Sequence, residues 1–72
     1  MLRSRLAAAA RHIADAKMRI LRQEGIIERL AFRYQDTAQA ENFLRILMQS
    51  LKEMIRHKEM IEAKLAQLEL RL

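Results

Sequence analysis

The sequence predicts an all-α protein: an antiparallel two-helix hairpin of coiled-coil type that dimerises into a four-helix bundle. Three observations carry the prediction. Ala, Glu, Lys, Leu and Arg supply 43 of the 72 residues, which with periodic spacing means long helices. Apolar residues recur by threes and fours along two stretches, the mark of helical stripes. One helix-start signal, Asp36-Thr37, separates the stretches. Sheet folds are excluded by the absence of valine and proline and by a single threonine, a single glycine and three aromatics, Phe32, Tyr34 and Phe43. The chain has no cysteine, which removes disulfides and thiolate zinc sites. One domain, residues 1–72, is all this length allows.

The first helix is expected over about residues 3–34. Leu6, Ile13, Ile20, Ile27 and Tyr34 recur every seven residues and take heptad position a. Ala9, Ala16, Gln23 and Leu30 take position d, where the small alanines would let a partner helix come close. Gly25 falls on the outer face; it costs about 1 kcal/mol against Ala and marks where the helix could kink.

The turn is expected at about 35–36. Asp36 suits the N-cap, because its carboxylate can accept from backbone N–H groups two and three residues on. Gln39 stands where a capping box places its second partner. The end of the first helix carries no Gly or Asn cap, so a single unbroken helix is the alternative.

The second helix is expected over about 37–71. Thr37, Leu44, Leu51, Lys58, Leu65 and Leu72 take position a; Ala40, Leu47, Met54, Ile61 and Leu68 take d. Lys58 is the only charged residue in either stripe. Antiparallel pairing sets each a opposite a d of the other helix. The frame that puts the loop at the cap pairs Leu6 with Leu68, Ile13 with Ile61, Ile20 with Met54, Ile27 with Leu47 and Tyr34 with Ala40. Between those layers it sets Ala9 against Leu65, Ala16 against Lys58, Gln23 against Leu51 and Leu30 against Leu44.

A two-helix layer buries one stripe per helix, rarely enough to offset chain entropy. The flanks show where a second copy would add burial. The e seam (Ala10, Lys17, Glu24, Ala31, Met48, Ile55, Glu62, Glu69) is apolar in its middle and toward the turn. Met48 and Ile55 therefore join Leu6, Ile13, Ile20, Ile27, Leu30, Leu44, Leu47, Leu51, Met54, Ile61, Leu65 and Leu68 as expected core and dimer-interface residues. Leu21, Phe32, Ile46, Met60 and Leu70 lie off the stripes as further contact candidates.

The g seam is basic. The expected frame pairs Arg5 with Arg71, His12 with Lys64, Arg19 with His57, Ile26 with Ser50 and Arg33 with Phe43. Arg5, His12, Arg19, Arg33, His57, Lys64 and Arg71 are thus a candidate anion-binding seam, against the plainer reading of a solvated charged face. Residues 1–35 carry eight basic and three acidic groups, and residues 36–72 carry six of each, so the net charge of +5 lies in the first half. Nucleic acid contacted through backbone phosphates is the second functional reading, with weak specificity and steep salt dependence. Scarce aromatics argue against single-strand readout. An anionic membrane surface is a further, weaker option.

Chemistry is poorly supplied. The sequence has no glycine-rich phosphate loop and no His-x-x-x-His or Glu-x-x-His metal spacing. His12 and His57 fall about one heptad out of level in the expected frame, and Ser4 and Ser50 lack base partners. The expectation is no enzyme, no catalytic or metal residue and no cofactor. Ion pairs at i to i+4, such as Asp15 with Arg19 and Glu41 with Arg45, account for several acids. The longest unbroken apolar run is Leu6–Ala10, far short of a transmembrane span of about 20 residues. The Arg- and Ala-rich start resembles an amphipathic targeting presequence, but its period runs in phase into the rest of the chain and is read as structure. A cytoplasmic protein is expected, self-associating and able to take a protein partner.

The run Arg11-His12-Ile13-Ala14-Asp15-Ala16, then Arg22-Gln23, Ile27-Glu28-Arg29-Leu30 and Asp36-Thr37-Ala38-Gln39-Ala40-Glu41, with Leu44 and Leu47, resembles a family of short uncharacterised helical proteins of alphaproteobacteria, rhizobia among them. The likeness covers roughly residues 11–57, and the Asp-Thr helix start is its most specific part. Where that family commonly has Gly-His before the Asp, this chain has Tyr34-Gln35. The resemblance implies a bacterial helical hairpin and no particular activity.

Overall fold

A computed structural model of the chain, which describes residues 1–71, consists of two long helices packed along each other. Helix α1 spans Leu2–Phe32 and helix α2 spans Ala38–Leu70; the described residues contain no strand. The hairpin is a rod of 60 × 15 × 13 Å. Leu72, the last a position of the expected stripe, lies outside the described residues.

Arg33–Thr37 form the turn, longer than the two residues expected, and α1 stops two residues before the expected end. The stop is a Schellman motif. Gln35 N–H donates to the Leu30 carbonyl at 2.9 Å and Tyr34 N–H to Ala31 at 3.0 Å, satisfying carbonyls the helix end would otherwise orphan. Tyr34 holds the left-handed position of that motif, at φ 57°. It is 99% exposed, so its expected place in a core layer with Ala40 is corrected: a residue inside the turn cannot belong to the stripe.

Helix α2 starts one residue later than the Asp36 cap implied. Thr37 is the N-cap, yet the capping acceptor is still Asp36, whose Oδ1 receives the Ala38 N–H at 2.9 Å, two residues on. Gln39 closes no capping box among the described hydrogen bonds; Thr37 Oγ1 instead donates to Glu41 Oε1 at 3.2 Å. Gly25 does not interrupt α1, which is continuous through it.

The core is the expected double stripe. Ala9, Ile13, Ala16, Gln23 and Ile61 are buried, and Leu6, Ile20, Ile27, Leu30, Leu44, Leu47, Leu51, Met54 and Leu65 are half-buried. Its frame is not the expected one. Gln23, 8% exposed, donates from Nε2 to the Ala40 carbonyl at 2.9 Å. A glutamine side chain reaches about 5 Å, whereas Leu51, the expected neighbour, lies about 16 Å from Ala40 along the axis. Gln23 therefore sits nearer to Leu44 than to Leu51, and the helices are slipped toward the frame one heptad away. The open end agrees. Leu2 is half-buried and shares a hollow with Leu65 and Leu68, and Leu68, expected opposite Leu6, is 50% exposed.

Candidate interaction surfaces

Two flanks run the length of the rod, and sequence chemistry divides them. On the e flank, residues at positions e and b of both helices line two shallow hollows that meet at Ile55. One, of about 450 Å³, is lined by Ala10, Ile13, Ala14, Lys17, Ile55, Lys58 and Glu59. The other, of about 440 Å³, is lined by Ile20, Arg45, Met48, Gln49, Leu51, Lys52 and Ile55. They form because one layer of two helices cannot close over its own seam: among the described residues no side chain is fully buried, and Met48 and Ile55 stay partly exposed.

Lys58 shows how this flank handles a charge in the stripe. Its stem lies against the hollow and its Nζ emerges 3.6 Å from Glu62 Oε2. At the open end Arg3 Nη2 meets Glu69 Oε1 at 2.8 Å. Both ion pairs found among the described residues belong to the e flank. The expected pairs of Asp15 with Arg19 and Glu41 with Arg45 are not among them; Arg45 Nη1 donates to Asn42 Oδ1 at 3.3 Å instead.

The opposite flank, at positions g and c, is basic. Arg5, His12 and His57 line one hollow, floored by Ala8, Ala9 and Ile61. Arg29 and Arg33 line another with Ile26, Leu30 and Gln35 near the turn. All seven residues of the expected anion seam are exposed. The slip changes their neighbours: His12 and His57, expected out of level, line one hollow. The sequence reading missed Arg22 and Arg29, which widen the seam from position c. Heptad lettering marks c as the next row outward from g, and that signal was available.

No group of three or more His, Asp or Glu that could hold a metal ion occurs among the described residues. No helix described is long and apolar enough to cross a membrane. The chain matches no protein-family model, no curated protein and no solved structure.

Proposed function

We propose that the protein is a non-enzymatic interaction module that self-associates through its e flank, two hairpins forming a four-helix bundle. The observation that carries this reading is area. The chain exposes 6230 Å², whereas a compact monomer of its 8.5 kDa exposes about 4,700 Å². The excess of roughly 1,500 Å² compares with about 800 Å² covered per partner in a standard interface.

Charge selects the e flank for self-pairing. Positions e and b carry both signs, with Arg3, Lys17, Arg45 and Lys52 among Glu24, Glu28, Glu41, Glu59, Glu62 and Glu69. A second copy related by a two-fold axis can set basic residues against acidic ones. The g flank would oppose like charges. Burying Ile55, Met48 and the alanines of the hollows supplies the apolar centre such an interface needs.

Light scattering coupled to size exclusion tests the reading. The wild type is expected at twice the chain mass with little salt dependence. Ile55→Asp is expected at one chain mass with its helices retained. A wild type that stays monomeric up to high concentration, or an unchanged dimer in Ile55→Asp, would sink the proposal.

A further inference from the structure

The structure separates the chain's charge more sharply than its sequence halves do. Positions g and c of the two helices hold seven basic and two acidic residues, so this one flank accounts for the entire net charge of +5. Helix α1 contributes Arg5, Arg19, Arg22 and Arg29, with Arg33 at its C-cap; α2 contributes Lys64, with Arg71 at its C-cap. The acids are Asp15 and Glu53, and neither makes an ion pair among the described residues. All nine side chains are exposed. Between Arg5 and Arg19 lie His12 and His57, which share a hollow with Arg5.

We propose that this flank binds the phosphate backbone of duplex nucleic acid. The inference does not depend on self-association, since a single hairpin already carries the surface. Arg19, Arg22, Arg29 and Arg33 climb one face in steps of about 5 to 10 Å, spaced for successive or cross-groove phosphates rather than for one small anion. They stand on a rod that keeps that spacing rigid, which favours a regular polyanion. A single strand would want stacking platforms, and the only aromatic at a g or c position is Phe43, near the turn. A lipid surface would draw on the apolar residues exposed on this flank, Ile26, Phe43, Ile46 and Met60, but on α1, where the arginines lie, Ile26 is the one large apolar side chain exposed at these positions. The two imidazoles of this hollow do not suit a metal ion, because Arg5 places a fixed positive charge beside them.

The test is fluorescence anisotropy of a labelled generic DNA duplex with the full chain. With about four phosphate contacts, affinity is expected to fall roughly a hundredfold between about 50 and 200 mM salt. Arg22→Glu/Arg29→Glu is expected to weaken binding at least about tenfold and to flatten the salt slope by about 2. Arg11→Glu/Arg56→Glu makes the same change in net charge on the outward faces of the helices and is expected to cost less than about threefold. Circular dichroism confirms that both variants stay helical. Equal losses in the two variants would show net charge rather than this flank at work and overturn the proposal. So would an absence of duplex binding at low salt, a preference for single strands, or binding to anionic vesicles alone.

Discussion

Gln23 on α1 donates its side-chain amide to the backbone carbonyl of Ala40 on α2, 2.9 Å away and buried between the helices. This bond reports the frame of the hairpin. Heptad stripes repeat every seven residues, so two frames one heptad apart present the same kinds of layer and differ little in apolar burial. A buried amide breaks the tie, because it must find an acceptor. In the observed frame it reaches a carbonyl left open by the small Ala40 side chain.

The frame is directly testable, since the chain has no cysteine of its own. Ala16→Cys/Leu51→Cys places thiols level in the slipped frame, and Ala16→Cys/Lys58→Cys does so in the other. A disulfide needs Cα atoms within about 7 Å. The first pair is expected to oxidise to an intramolecular bond at low protein concentration and the second to stay reduced. The reverse result, read on a non-reducing gel, would restore the unslipped frame.

This slip also marks how far the sequence was legible. The stripes themselves were readable, because burial follows from apolar residues at helical spacing: Ile13, Ala16 and Ile61 are buried where expected. The fold class followed from them and from the Asp36 cap. The frame was not readable, since periodicity is blind to a seven-residue shift, and every cross-helix neighbour depends on it. The hollow that His12 and His57 share was not foreseen for that reason. The turn was misjudged by two residues because Tyr34 occupies a left-handed position that composition assigns to Gly.

Tyr34→Gly should therefore stabilise the hairpin. A non-glycine residue in the left-handed region costs roughly 1–2 kcal/mol, offset in part by the greater freedom of Gly in the unfolded chain. The Tyr34 ring is exposed, so its loss removes little packing. A gain of about 0.5–1 kcal/mol is expected, a rise of several degrees in Tm for a domain of this size. Tyr34→Val should lower Tm instead. Thermal melts of the two variants in which glycine is the less stable would contradict the Schellman assignment.

Neighbouring residues on α2 should respond very differently to truncation. Ile61 is 5% exposed and Met60 61% exposed. Ile61→Ala removes buried methyl groups from a thin core and is expected to cost about 2–4 kcal/mol, whereas Met60→Ala should stay within about 0.5 kcal/mol. Charge in the stripe is harsher still: Leu51→Asp and Ile20→Asp are expected to abolish the folded assembly, because the carboxylate would be desolvated without a partner. Urea titrations followed by circular dichroism check all four. A fully helical, unchanged assembly in either aspartate variant would refute the core assignment.

Gly25 offers the last handle. It lies within α1 and keeps an ordinary backbone conformation, and a Cβ built on it would meet nothing within 4 Å. No turn, close approach or positive φ requires glycine there. Alanine would keep every native contact while restricting the unfolded chain and improving helix propensity, for a gain of up to about 1 kcal/mol. Gly25→Ala is therefore expected to raise the urea midpoint with an unchanged slope. A lowered midpoint would mean that a neighbour crowds this position in solution. Since the hairpin itself leaves it open, that neighbour would be a second copy of the chain, and the self-association surface would have to extend beyond the e flank.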